Sequence, residues 1–143
     1  MRTIKFRGKS DDSNRWFYGF LQKYQEKYIS RLCIYAVSVR TWEDALLYSV
    51  KPDTVGQFTG LLDKNGKEIY EGDILDFNGI TVEVRFVRGV FALLVNGNLD
   101  EELCGDCRTD LFAKVIGNIH DNPELMKVNE KSKIRKHDTR RNP

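Results

Sequence analysis

Residues 55–87 read VGQFTGLLDKNGKEIYEGDILDFNGITVEVRFV, and the punctuation of this stretch decides the fold class. Positions 55–62 are apolar and β-prone. Asp63-Lys64-Asn65-Gly66-Lys67 follows as a turn, because Asn and Gly tolerate the positive φ that tight hairpins demand. Glu68-Ile69-Tyr70 starts the return strand, Gly72-Asp73 interrupts it, and Ile74-Leu75-Asp76-Phe77 resumes with alternation. Asn78-Gly79 is a second hairpin signal. Beyond it, positions 81–87 alternate, which predicts Val82, Val84 and Phe86 inward and Glu83 and Arg85 outward.

Outward towards the C-terminus, Arg88-Gly89 turns into a strand at 90–95, Asn96-Gly97-Asn98 turns again, and 113–120 is a final strand. Between them, 99–111 reads as a connection with a helical turn at 109–112, and Asp100-Glu101-Glu102 as a solvated loop. Short strands joined by tight turns predict an antiparallel meander, expected to curl into a small barrel that hides its edges. Outward towards the N-terminus, 2–7 alternates, Asp11-Asp12-Ser13-Asn14 is a polar turn, and 16–21 (WFYGFL) is an aromatic run, together a hairpin. Positions 28–39 read as one or two strands. Positions 41–48 (TWEDALLY) suit a short helix or a loop entering a strand. The expected organisation is a β-rich region over 1–54, a barrel region over 55–126 and a basic, disordered tail over 127–143.

The chain has 143 residues, room for one compact domain or two small lobes, and its 41% hydrophobic content suffices for a core without staples. No stretch approaches the roughly 20 apolar residues of a membrane span, and the opening residues lack the apolar run of a signal peptide. Three cysteines, Cys33, Cys104 and Cys107, do not make a secreted disulfide scaffold. A cytoplasmic protein without membrane contact is expected. The formal net charge of +2 is uneven: residues 127–143 carry seven Lys and Arg against two acidic residues, net +5, so residues 1–126 carry −3.

The central block FTGLLDKNGKEIYEGDI (58–74) resembles the hallmark of the YopX family of phage and prophage proteins. The opening Ile4-Lys5-Phe6-Arg7 is similar to that family's start, and 115–125 (VIGNIHDNPEL) to its closing motif. The resemblance spans about residues 1–126. It implies a mainly β fold whose second half is an SH3-like small antiparallel barrel, and an origin in a bacterial virus or prophage, hence a bacterial host cytoplasm. It implies no activity. The residues of the shared motif read as structural: Asn65 and Gly66 form a turn, Gly60 and Gly72 mark bulges or close backbone approach, and Asp73 bonds backbone amides at a strand entry. Gly117, in the closing motif, is read as structural with them.

No catalytic, cofactor-binding or metal-binding residue is assigned. Cys104-Gly105-Asp106-Cys107 offers two thiols, but no βαβ pattern makes it a thioredoxin-like site. A zinc site there would need Cys33, His120, His137 or a second chain. The acidic stretch 63–73 lacks EF-hand spacing, and His120-Asp121 has no accompanying nucleophile. A non-enzymatic module is therefore expected, binding a host or phage protein, with self-association into a homo-oligomer. The alternative is a nucleic-acid-binding small barrel. It would use the aromatic and basic run containing Arg15, Trp16, Lys23, Lys27 and Arg31, with Lys133, Arg135, Lys136, Arg140 and Arg141 of the tail. A small metalloprotein centred on Cys104 and Cys107 is a further alternative.

Overall fold

The computed structural model describes residues 2–27, 29–36, 46–103 and 107–127, and among them the chain is mainly β. It divides into two compact units, Met1–Gly60 and Leu61–Pro143.

In the first unit, β1 (Phe6–Lys9) pairs antiparallel with β2 (Trp16–Glu26), β2 with β3 (Ile29–Ala36), and β3 with β4 (Leu46–Ser49). The other edge of β1 pairs with the start of β5 (Gly56–Leu62), through Phe6 with Gln57 and Arg7 with Gly56. Of the two readings of 41–48, the described part settles as strand, and 41–45 lies outside the described residues. The sheet curls until the end of β4 meets the end of β1. Ser10 and Val50 form a bridge, the Lys51 amide donates to the Lys9 carbonyl at 2.8 Å, and the Asp11 amide donates to the Ser49 carbonyl at 3.2 Å. Thr54 holds the same corner: its hydroxyl accepts from the Lys9 amide at 2.9 Å and donates to the Lys51 carbonyl at 2.7 Å. Ile34 and Val50 are fully enclosed, and the Phe17 and Tyr48 rings stack with centroids 3.7 Å apart. Gly8 is what lets these strands close up, since a Cβ there would lie 2.9 Å from that of Val50.

The second unit is a meander. The strand β5 ends in it and returns as β6 (Glu68–Tyr70); β7 (Asp73–Phe77), β8 (Ile80–Val87), β9 (Val90–Val95) and β10 (Asn98–Glu102) follow. Two-residue turns join β7 to β10, at Asn78-Gly79, Arg88-Gly89 and Asn96-Gly97, with φ of 51° at each first residue and 76–85° at each glycine. Both positions are left-handed, the geometry whose twist matches that of paired strands. One helical turn, α1 (Thr109–Phe112), leads into β11 (Ala113–Asn118), which lies beside β7. The strand order is β10-β9-β8-β7-β11.

Three expectations are corrected here. The sheet is open, not a closed barrel: β10 and β11 are its two edges, because the chain leaves β10 through 103–112 and re-enters against β7 at the far side. The acidic cluster at 100–102 is part of an edge strand, with a bulge between Leu99 and Glu101; its carboxylates suit an edge, where charge discourages pairing with other chains. In β8 the inward set is Val82 and Val84, whereas Glu83 is buried at 6% exposure and Phe86 is 49% exposed. The turn Pro123–Lys127 packs against β8, so both faces of the strand are covered. The Glu83 carboxylate is met there by two guanidinium nitrogens of Arg85, at 2.8–3.0 Å. Phe86 lies past the covered part and stacks edge-on with Phe91.

The core of this unit is Ile69, Leu75, Val82, Val84, Leu93 and Ala113, with Leu61, Phe77, Val95, Leu103 and Val115 packed around it. Each fully buried Val, Leu or Ile side chain contributes about 1.5–3 kcal/mol, before the entropy of ordering it is subtracted.

Candidate functional site

A strand's side chains point alternately to opposite faces. In β1 and the residue before it, this puts Lys5, Arg7 and Lys9 on one face of the first unit's sheet. The register sets Trp16 opposite Lys9 and Tyr18 opposite Arg7, so Trp16, Tyr18 and Phe20 of β2 continue that face. The side chains meet accordingly. The Arg7 guanidinium lies 4.8 Å from the Trp16 ring centroid, the Lys9 ammonium 5.8 Å from it, and the Lys5 ammonium 5.1 Å from the centroid of Phe58. Cations over aromatic faces attract the ring's negative quadrupole, more strongly where water is thin, and Arg7 is only 5% exposed. Tyr18 and Phe20 are the more exposed rings of this face, at 48% and 51% exposure. Phe20 pairs across to Tyr35, and Tyr35 to Leu47, which is 41% exposed. One row over three strands thus presents large apolar side chains at its two ends.

The charge of the molecule is divided in the same sense. Residues 1–60 hold ten Lys and Arg against six Asp and Glu, net +4, while residues 61–126 hold six against thirteen, net −7. The exposed aromatic row therefore lies in the basic part of the folded chain.

Among the described residues, the run proposed from sequence as a nucleic-acid contact does not form one surface. Trp16 and Arg31 share a face, but Arg31 sits opposite Tyr24, eight residues along β2 from Trp16, a distance of about 26 Å. Lys23 points to the other face, Arg15 precedes β2, and Lys27 is in the turn after it. Lys133, Arg135, Lys136, Arg140 and Arg141 lie outside the described residues. Lys5, Arg7 and Lys9, which the structure brings to the aromatics, were missed. For Lys5 and Arg7 the signal was the alternation of 2–7, legible as a strand but not as the partner of Trp16 and Tyr18; Lys9 lies beyond that stretch.

The other candidate residues are occupied structurally. The Asp63 carboxylate accepts the backbone amides of Asn65 at 2.8 Å and Lys67 at 2.9 Å within its own turn, and of Val115 in β11 at 3.0 Å. Burial by itself pushes this carboxyl up. The three amides, from Val115, Lys67 and Asn65, with the charge of Lys67, outweigh burial and hold the pKa below the ordinary carboxylate value. Asp73 accepts the Tyr70 amide at 2.8 Å. Gly60 and Gly72 have φ of 87° and 88°, and a Cβ on Gly117 would meet the Asn122 side-chain oxygen at 2.5 Å. Asn118 accepts the amides of His120 and Asp121, which places that pair in an Asx-type turn. Cys107 is buried and donates to the Glu102 carbonyl at 3.1 Å, and Cys104 lies outside the described residues. Burial pushes the Cys33 thiol up, which favours its neutral form. Among the described residues, no three of His, Cys, Asp and Glu gather as a metal-ligand group, and no helix is long and apolar enough to cross a membrane.

Among solved structures, the chain is similar to the crystal structure of protein EF1440 from Enterococcus faecalis, at 26% identity and a TM-score of 0.55, over 88% of this chain and 99% of that one. No curated protein matches it. A family model described as YopX protein matches residues 5–127, most of the chain and both of its sheets. The chain belongs to the YopX family.

Proposed function

We propose that the chain is a non-enzymatic accessory protein of a phage or prophage, acting in the bacterial cytoplasm as a binding module for another macromolecule. Its contact surface is the face of the first unit's sheet that carries Tyr18, Phe20 and Leu47. The observation that supports this is their arrangement. Single exposed apolar residues are ordinary on a protein surface, but large ones aligned in a row across paired strands form the kind of patch that marks an interaction site. The polar residues that sequence alone offers for chemistry support the same reading, since Asp63, Asp73 and Cys107 are engaged with backbone groups.

The test is affinity capture from phage-infected bacteria, with and without nuclease, by the wild type and by a Phe20→Ser Leu47→Ser variant. Both positions are exposed, so the variant is expected to keep its thermal unfolding transition. The proposal expects a macromolecule retained by the wild type and released by the variant. Identical capture by the two proteins would remove this face from consideration.

A further inference from the structure

We infer that the macromolecule held by this face is single-stranded nucleic acid; the inference rests on the binding reading above. Three observations carry it. The first is composition by position. A strand of alternate cations, Lys5, Arg7 and Lys9, lies against a strand of alternate aromatics, Trp16, Tyr18 and Phe20. Stacking platforms for single strands need these two chemistries together: rings for the bases and cations beside them for the phosphates. Lys5 and Lys9, which are only partly buried, are the cations of this face that a phosphate could approach; Arg7, at 5% exposure, holds the Trp16 ring instead.

The second observation is spacing. Same-face residues of a strand recur about every 6.8 Å, the order of separation of bases drawn out along an extended single strand. Bases stacked in a duplex are about 3.4 Å apart and turn their edges, not their faces, outward. Tyr18 and Phe20 are each about half exposed, at 48% and 51%, and so have ring surface to offer. Trp16 is packed under Arg7 and Lys9, which fixes the end of the row and holds positive charge beside it.

The third observation is charge. The face belongs to residues 1–60, net +4, whereas residues 61–126 carry −7 and would repel the same ligand. Within residues 1–126 a polyanion is favoured by the first sixty; residues 127–143, net +5, attract it as well, and the experiment therefore varies them separately. Every base has a π face, so little sequence preference is expected.

The experiment is fluorescence anisotropy of the full chain with a labelled oligothymidylate of about twelve nucleotides, and with a duplex of equal length. The expected result is binding of the single strand in preference to the duplex, weakened at least about ten-fold in Tyr18→Ala Phe20→Ala. In Lys5→Gln Lys9→Gln, the slope of log affinity against log salt is expected to shrink by about 1.4. The inference fails if the oligothymidylate is not bound, or is bound equally well by Tyr18→Ala Phe20→Ala. It also fails if changing the tail's Lys133, Arg135, Lys136, Arg140 and Arg141 to Gln abolishes binding that the aromatic variant retains. An unbound oligothymidylate together with nuclease-resistant capture that Phe20→Ser Leu47→Ser loses would overturn the nucleic-acid ligand and leave the binding face standing. The same holds for a dimer, seen by light scattering, that only the wild type forms.

Discussion

Asp63 is a turn residue with a reach of 52 positions along the chain, since its carboxylate closes its own turn and also holds the Val115 amide of β11. In the sequence it reads as a turn former and nothing more, because no local pattern announces the bond to β11. Hydrogen bonds to a charged acceptor contribute about 1.5–3 kcal/mol, and buried donors left unmet cost a similar amount. Asp63→Asn, with one accepting oxygen in place of two, is expected to lose about 2 kcal/mol at neutral pH. The pH dependence has a definite sign. The folded pKa lies below that of the unfolded chain, which is about 3.9, so the stabilisation is complete above that value. As pH falls from there through the folded pKa, the unfolded chain holds the extra proton and the stabilisation is lost. Urea midpoints measured from neutral pH down to about pH 2.5 should therefore fall more steeply in the wild type than in Asp63→Asn, the two curves converging in acid. Parallel curves would mean that Asp63 is not the titrating clamp. Gly8 gives a second test at this scale. Its missing Cβ admits Val50, whose own Cβ cannot swing away, so Gly8→Ala is expected to cost about 1–3 kcal/mol, measured by thermal unfolding.

At the level of elements, the three two-residue turns of the meander are not equally well made. Asn78-Gly79 and Asn96-Gly97 suit left-handed backbone at both positions, but Arg88 holds a φ of 51° without the short polar side chain that eases this conformation. Arg88→Asn is expected to raise stability by about 1 kcal/mol, read as an upward shift in Tm; an unchanged or lower Tm would show that the Arg88 side chain contributes to stability in its own right. The same elements show what was legible. Asn-Gly pairs encode φ angles directly, so hairpins could be read wherever such a pair stood. The strand β10 could not, because Asp and Glu are poor strand formers and its bulge breaks the alternation. Glu83 and Phe86 were misassigned for a different reason: alternation reports faces, not what covers them, and the turn Pro123–Lys127 covers a face of β8 from forty residues away. Whether a sheet closes depends on which edges meet, and here the return of β11 to β7 was fixed by contacts between strands far apart in sequence.

For the whole molecule, the candidate face was half legible. The aromatic run at Trp16 could be seen, but a contiguous stretch in sequence is not a contiguous surface on a strand, and the cations it needs come from β1 through the register of the pair. The basic tail was legible, but the division of residues 1–126 into +4 and −7 was not, because the cut between Gly60 and Leu61 comes from the fold and a net −3 says nothing about where its charges are. At about 0.1 M salt, electrostatic influence decays over roughly 10 Å, less than the width of a small domain. Segments of +4, −7 and +5 should then act on a charged surface nearly independently. The chain is therefore expected to be retained at pH 7 by both a cation exchanger and an anion exchanger, whereas an even mixture with the same total would be held weakly by the cation exchanger alone. Neutralising Asp100, Glu101 and Glu102 on the edge strand to Asn and Gln should shorten retention on the anion exchanger and leave the cation exchanger's unchanged or longer. If the wild type passes straight through the anion exchanger, the acidic part is already neutralised within the chain. The repulsion argued above, which within residues 1–126 favours the first sixty for a polyanion, would then have to be withdrawn.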